Sequence, residues 1–423
     1  MANELGHDKM CALWEETAET TSNNQTFSKD LEVYNMSDMA DSDQAASASD
    51  NTNDGGGSDR EYIPQEYRFN VQDGIISQDS DFQDVIDRYI PVNRGRAKRV
   101  LATIDAKGLR SPSRRSEVAK GFARDIANAI DLDCYQTAVN QSTMIVSSAT
   151  AFDYQSAIDA EVTMLNYGLG SFTKKAFLSN TDYAQVAKDL GNKDFYNNNA
   201  PVTAFEKAQI PPIATFDTMR SDYRLSLAAS TGGTITVNGA QEHTVATYDA
   251  NDEFFLDNRS MTLLMTGATP TNMPVGTKFT IAGVNFIDPE TKQDSGELLT
   301  LTVITAGTGS AVVQPAIVAT GPYRNASAAA GAGAAVVRLN TTLSNPSLFY
   351  TPEAMKIIPG RLPVPADGAG VTAIEATTEQ GLPMRLTYRW NFHTEKFEMK
   401  ALVYYDRQVI YPNMMGAILS GQV

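Results

Sequence analysis

Apolar residues return at every fourth position in one stretch of the chain: Val118, Phe122, Ile126, Ile130 and Cys134. This spacing lays a slowly drifting stripe along one side of an α-helix. Pro112 stands just ahead, and Ser113 or Ser116 can cap the first turn. The pattern predicts a helix from near Ser113 to about Gln141, about 40 Å long at a rise of about 1.5 Å per residue. Arg114, Arg115, Lys120 and Arg124 fall off its apolar stripe. Tyr154, Ile158, Val162 and Leu165 predict a second helix over Asp153–Asn166, and a short third one spans Asp182–Leu190 and stops at Gly191. Nearer the N-terminus, Leu13 and Trp14 beside Glu15, Glu16 and Glu19 predict a short helix over Met10–Glu19.

The pattern changes between these helices. Tyr62, Ile63, Tyr67, Phe69 and Val71 read as an extended arm, with Phe82, Val85, Ile86, Tyr89, Ile90 and Val92 as its return. Gly74 and the polar run Ser77–Asp81 would form the tip. From Thr231-Gly232-Gly233 onward the text becomes short runs of Val, Ile, Leu and Thr broken by Gly, Pro and Asp. The runs are Thr234–Asn238, Ser260–Met265, Lys278–Ile281, Leu298–Ile304 and Ala311–Val313. This predicts a small antiparallel barrel or sandwich of about 110 residues. The Ala/Gly tract Ala328–Ala335 reads as a connector with side chains too small to pack. Mixed structure resumes at Leu348, and Met384–Phe392, Glu398–Tyr405 and Val409–Pro412 predict closing strands. The β module therefore interrupts an α+β host whose two parts, before Gly232 and after Leu343, must pack together.

Composition narrows the function classes. The 423 residues carry 50 acidic and 34 basic side chains, a formal net charge of −16, which argues against a dedicated nucleic-acid binder. Residues 1–61 hold 14 of the acidic residues against Lys9, Lys29 and Arg60. The Asp-, Ser- and Gly-rich stretch Ser37–Arg60 has too little apolar surface to order by itself. No apolar run approaches the ~20 residues of a bilayer span, and no secretory leader is read at the N-terminus. Cys11 and Cys134 cannot make a disulfide framework, so a reducing cytosol is expected.

Candidate chemistry is sparse. His7, His243 and His393 stand in unlike contexts, and no HExxH or CxxC spacing occurs. Gly168-Leu-Gly-Ser-Phe-Thr-Lys174-Lys175 misses the phosphate-loop spacing and reads as a turn after the second helix. Gln293-Asp-Ser295-Gly-Glu297 reads as a hairpin tip without a supporting His and Asp pair. Asp50, Thr52, Asp54, Gly55, Ser58 and Glu61 match calcium-loop positions, but Gly57 replaces the apolar position and no flanking helices are read. No catalytic, cofactor or metal site is expected.

The order of these features resembles a tailed-phage major capsid protein of the Hong Kong 97 fold, and more closely the coat proteins of short-tailed phages with an inserted β-barrel domain. Gly233-Thr-Ile-Thr-Val-Asn-Gly-Ala-Gln241 looks like the start of that domain, and Val275-Gly-Thr-Lys-Phe-Thr-Ile-Ala-Gly-Val-Asn-Phe286 like its central hairpin. Asn258-Arg259 before a strand and Asn340-Thr-Thr-Leu343 at the exit are also similar, and Phe152–Leu190 resembles the family's second helix region and following strand. The resemblance runs from about Tyr62 to the C-terminus, while residues 36–60 are longer and more acidic than the usual arm.

The resemblance implies an organisation. Residues 1–61 would be an acidic N-terminal arm, 62–112 the E-loop and its connection, and 113–190 a peripheral (P) domain with its spine helix. Residues 191–232 and 344–385 would form the axial (A) domain, 233–343 the inserted barrel (I) domain, and 386–423 the return strands. The implied function is self-assembly into an icosahedral shell around a double-stranded DNA genome, through a scaffold-directed procapsid built in the host cytoplasm. Partners would be sister copies in hexamers and pentamers, a scaffolding protein, a portal protein and packaged DNA, with no membrane. Glu15, Glu16 and Glu19 are candidate contacts for a basic scaffolding protein. Arg114, Arg115, Lys120 and Arg124 are candidates for an adjacent acidic arm or the DNA. The rival is an exported or tail-associated adhesin-like β protein, which leaves the long helix, extended arm and acidic segment without a role.

Overall fold

The computed structural model describes residues 4–34, 60–69, 71, 82, 85–93, 97–105, 111–191, 213, 215–251, 255–289, 291–360 and 372–422. The chain divides into two compact units. The first comprises Met1–Ile63, Pro91–Tyr135 and Met355–Gln408, and the second Pro64–Ile90, Gln136–Ala354 and Val409–Val423.

The first unit opens with helix α1 (Glu4–Asn24), followed by a 3-10 turn at Ser28–Asp30 and the short strand β1 (Glu32–Val33). Met10, Leu13 and Trp14 of α1 are fully buried, and the Trp14 indole N–H donates to the Met384 carbonyl at 3.3 Å. The helix is much longer than the stretch predicted from apolar spacing. Its second half buries Thr17, Thr21 and Ser22, whose hydroxyls donate to the carbonyls of Leu13, Thr17 and Ala18 one turn back. Polar residues satisfied in this way can face an interior, so apolar periodicity misses them.

β2 (Arg60–Pro64) and β3 (Tyr89–Asn93) form a two-stranded ribbon, and β4 (Ala97–Asp105) leads toward helix α2 (Pro112–Gln141). Val118 is half-buried on the predicted stripe of α2, whereas Phe122, Ile126, Ile130 and Cys134 are buried. Asp131 is buried beside that stripe. Its Oδ2 accepts from the Thr26 N–H at 2.7 Å and the Thr26 hydroxyl at 2.9 Å; its Oδ1 accepts from the Ser28 N–H at 3.0 Å and the Ser28 hydroxyl. One carboxylate thus fixes the turn that ends α1. Asp133 takes an ion pair from Arg407 at 2.6 Å, a longer one from Lys98 at 3.6 Å and the Tyr405 hydroxyl at 2.9 Å.

The second unit contains β5 (Met144–Ser147), helix α3 (Tyr154–Asn166), β6 (Lys175–Leu178), helix α4 (Asn180–Gly191) and β7 (Asp217–Arg220). The Asp153 side chain caps α3 by accepting from the Ser156 N–H at 2.9 Å. Next come β8 (Thr236–Val237), β9 (Met261–Thr266), β10 (Lys278–Ile287), β11 (Asp294–Ala306), β12 (Ser310–Gln314), β13 (Val336–Arg338) and β14 (Ser347–Tyr350). The first unit then resumes with β15 (Met355–Pro359), β16 (Thr372–Thr377), β17 (Pro383–Asn391) and β18 (Lys396–Val409), and the chain ends on β19 (Met415–Leu419).

Two sheets make the framework of the second unit. One has the order β5-β19-β14-β6-β7, with parallel pairs at its two edges and antiparallel pairs within. Every residue of β14 and β19 is buried, as expected for strands covered on both faces. The other is antiparallel with the order β13-β10-β11-β12-β9-β8. Its two ends also meet: the Val237 N–H donates to the Ala334 carbonyl at 3.0 Å, Gly333 to Val237 at 2.9 Å and Val336 to Ile235 at 3.0 Å.

The Ala/Gly tract is therefore no mere connector. Ala330 is fully buried and exchanges two backbone hydrogen bonds with Gln241 at 2.9 Å each. Most of the tract is exposed, and it is held by main-chain hydrogen bonds to its neighbours. The chain leaves and rejoins at one place: Leu227 and Ser344 pair backbone to backbone, and the Ser230 N–H donates to the Asn340 carbonyl at 2.8 Å. Buried Asn340 closes this neck, its Nδ2 donating to the Ala228 carbonyl at 3.0 Å and its Oδ1 accepting from the Lys278 N–H at 3.0 Å.

In the first unit, the sheet order is β1-β15-β18-β17-β16, and β4 pairs with β18. β1 joins β15 in parallel, and the rest of the described register is antiparallel.

Candidate functional site

The described residues next to β2 and β3 are tied to one another in a hydrogen-bonded foot. The Gln65 N–H donates to the Arg88 carbonyl at 2.9 Å, and the Tyr67 hydroxyl donates to Asp87 at 2.7 Å. That bond to a carboxylate is the main reason the Tyr67 phenol is pushed up to about 12. The Arg88 guanidinium lies 4.3 Å from the centre of the Tyr323 ring, and the Arg68 N–H donates to the Tyr323 hydroxyl at 3.3 Å. Arg68 also donates to the Pro289 carbonyl at 3.3 Å. Tyr89 meets Phe255 at 4.3 Å between ring centres, and Phe255 stacks on Tyr248.

Beside this foot, four described apolar side chains are uncovered. Phe69 is 56% exposed, Val71 95%, Phe82 76% and Val85 61%. Four large apolar residues in one stretch of chain exceed the scattered exposure usual on a protein surface. These exposed apolar side chains flank a hydrogen-bonded foot and are suited to burial against another surface. The tip predicted at Gly74 and Ser77–Asp81 lies outside the described residues.

The charged candidates separate. Glu15 and Glu19 are exposed one turn apart on α1, whereas Glu16 accepts a hydrogen bond from the Ser116 hydroxyl of α2. Arg114 pairs with Asp105 at 3.9 Å, Lys120 with Glu117 at 3.4 Å, Arg115 is half-buried and Arg124 is exposed. The structure gathers neither group around a shared centre.

A tighter ion pair sits beside Asn258, within the segment marked in the sequence. Arg259 grips Asp257 with two hydrogen bonds, at 2.8 and 2.9 Å, and donates to the Val409 carbonyl. Burial pushes the Asp257 carboxyl up, but the Arg259 guanidinium outweighs it and holds the group below the usual carboxylate range. Asn258 is buried; it donates to the Ala246 and Leu256 carbonyls and accepts from the Ala246 N–H, with His243 Nε2 at 3.0 Å. Asn258-Arg259 carries a family resemblance in the sequence, whereas the foot of Arg68, Arg88 and Tyr323 carries none, because Tyr323 stands 255 positions from Arg68.

The near-motifs take structural places. Gly168 ends α3 with a positive φ of 77°, and Lys174 is buried just before β6. The Ser295 hydroxyl donates to the Phe286 carbonyl at 2.9 Å within the β10–β11 hairpin. Residues 50–59 of the calcium-loop match lie outside the described residues, and among the described residues no group of three His, Cys, Asp or Glu could hold a metal ion. No described helix is long and apolar enough to cross a membrane.

Three solved structures show the range of likeness. The CUS-3 coat protein I-domain is 32% identical over 26% of this chain and 98% of its own, with a TM-score of 0.22. A Mycobacterium phage Che8 structure is 6% identical over 84% of this chain and 83% of its own, with a TM-score of 0.37. The bacteriophage PhiM1 mature capsid is 10% identical over 85% and 82%, with a TM-score of 0.40. The family model described as P22 coat protein, gene protein 5, matches residues 21–421. With nearly the whole chain matched, this protein belongs to the P22 coat protein family and is the major capsid protein of a tailed phage.

Proposed function

We propose that this coat protein assembles as hexamers and pentamers into a closed icosahedral shell around a double-stranded DNA genome, through a procapsid formed on a scaffolding protein in the host cytoplasm. A portal protein and the packaged DNA complete its partners. Its fold is of the Hong Kong 97 type, with α2 as the spine helix, residues 62–112 as the E-loop and its connection, and residues 233–343 as an inserted barrel domain. The neck at Leu227, Ser230, Asn340 and Ser344 supports the insertion, and the bonds joining residues 235–237 to 333–336 support a closed barrel.

The observation that carries the assembly reading is the exposure of Phe69, Val71, Phe82 and Val85 beside a hydrogen-bonded foot. Covering four such side chains on a neighbour contributes about 6 kcal/mol or more, at about 1.5–3 kcal/mol each. That approaches the roughly 8 kcal/mol of a micromolar contact, and many such contacts close a shell that no single pair would hold. Changing all four residues to Ser leaves the melting temperature nearly unchanged, because they are not packed in the subunit. Sedimentation and negative-stain microscopy then find soluble subunits where the unaltered chain gives shells. Normal shells from the variant would refute the assignment.

For the scaffolding protein, the exposed pair Glu15 and Glu19 remains available, while Glu16 is engaged by Ser116. Arg114, Arg115, Lys120 and Arg124 take the acidic segment of an adjacent subunit, or the packaged DNA, as counter-charge. A double change of Glu15 and Glu19 to Lys slows scaffold-directed assembly at low ionic strength, and the difference fades as added salt screens the contact. Equal assembly rates of the two chains at low salt would remove these residues from the interface. Shell stability that ignores salt would do the same for the basic group.

A further inference from the structure

Helix α2 ends with no basic residue in its last turn. A helix C-terminus leaves carbonyls without intrahelical partners and carries partial negative charge, so a cation from elsewhere can serve it. Lys278, the first residue of β10, is fully buried and brings its Nζ there. The Nζ lies 2.7 Å from the Val139 carbonyl oxygen, 2.7 Å from the Ser142 carbonyl oxygen, 2.9 Å from Ser142 Oγ and 3.1 Å from Thr302 Oγ1.

Both hydroxyl hydrogens around that nitrogen are already committed. Ser142 Oγ donates to the Val139 carbonyl at 3.0 Å, and Thr302 Oγ1 donates to the Ser142 carbonyl at 2.6 Å. All four oxygens therefore turn lone pairs toward Nζ. An ammonium has three hydrogens to give and no lone pair, whereas a neutral amine would set its own lone pair against an acceptor. Burial alone pushes the Lys278 amine down, yet every neighbour within hydrogen-bonding distance favours the protonated form. Thr300 completes the contact by donating its hydroxyl to the Thr143 carbonyl.

We propose that Lys278 is a protonated C-terminal cap supplied to α2 from the inserted module, and that the last turn of α2 through Thr143 is held closed only when β10 and β11 are in place. The module thereby finishes a helix it does not belong to. Its backbone is fixed for this task, because the Lys278 N–H is itself held by Asn340 at the neck.

Amide hydrogen exchange on the full chain, read by mass spectrometry, tests this. Lys278→Met keeps the apolar stem and removes the charge. Exchange over residues 138–143 is expected to quicken about tenfold to a hundredfold, from the loss of charge-assisted hydrogen bonds, with β9 and β12 unchanged. Unchanged exchange at 138–143, or an equal rise along the whole chain, overturns the cap. Should Lys278→Met fail to fold, Thr302→Val removes one acceptor and one carbonyl partner without touching the charge. It is expected to give the same local rise on a smaller scale, and no rise there is equally fatal. In Lys278→Ala, n-propylammonium, the missing part of the side chain, is expected to restore slow exchange where sodium does not; equal effects of the two ions overturn the requirement for an ammonium donor.

Discussion

Gly416→Ala unfolds at a far lower urea concentration than the unaltered chain, losing about 3 kcal/mol or more. Gly416 lies in β19, where it pairs with Phe349 of β14, and a methyl group built on it falls inside the Phe349 ring. Relief would require the ring to move. Phe349 is fully buried and meets Phe216 edge-on at 6.2 Å. The cavity beside it, walled by Phe152, Ala160, Phe216 and Ile418, offers about 10 Å³, about the space of one water-sized sphere and far too little for a phenyl group. The strand must bow instead, in a sheet whose two middle strands are buried throughout. Equilibrium unfolding measures the loss, and a second change, Phe349→Leu, should return part of it by vacating the space. A single variant melting within a degree of the unaltered protein would contradict this packing.

Asp131→Ala has a comparable effect, about 4 kcal/mol, by a different route. The carboxylate gathers two backbone N–H groups and two hydroxyls of Thr26 and Ser28. Alanine leaves the Ser28 N–H and hydroxyl without this partner in a fully buried place, and buried donors without partners are costly. The end of α1 should loosen first. Trypsin then reaches Lys29, which is exposed in that turn, and cleavage after it quickens before global unfolding. Asp131→Asn, which keeps one acceptor, should lose less. Unaltered stability together with unaltered cleavage at Lys29 would show that the carboxylate does not hold the turn.

These residues also mark how far the sequence could be read. The helices α2, α3 and α4 follow apolar spacing, and their observed limits fall within one or two residues of those predicted. Turn residues between β-rich runs located β8 to β12 of the antiparallel sheet, because both signals are local, but β13 was missed. The length of α1 was hidden, since its interior face is completed by Thr and Ser bonded to their own backbone. Lys278 was hidden too: a lysine opening a strand reads as a surface residue, and only the arrival of the α2 terminus makes a buried ammonium tolerable. Pairings such as Arg259 with Val409 or Asp131 with Ser28 join segments with no shared pattern. Of the candidate site, Phe69, Val71, Phe82 and Val85 were legible as an apolar arm. That they stay uncovered beside the foot of Arg68, Arg88 and Tyr323 could be seen only in three dimensions.

The five-stranded sheet carries a consequence for synthesis. Its central pair joins residues 347–350 to 415–419, and its outer strand at residues 144–147 lies against the very last strand. Thr143 and Pro412, bonded side chain to backbone, stand 269 residues apart. On the ribosome, growing at about 5–20 residues per second, the early strands wait for tens of seconds with sticky edges bare. The antiparallel sheet of β8 to β13 is encoded in one uninterrupted stretch between them. By drawing its two ends to one neck it shortens the loop that the waiting strands must close, which turns a long translational delay into a shorter search.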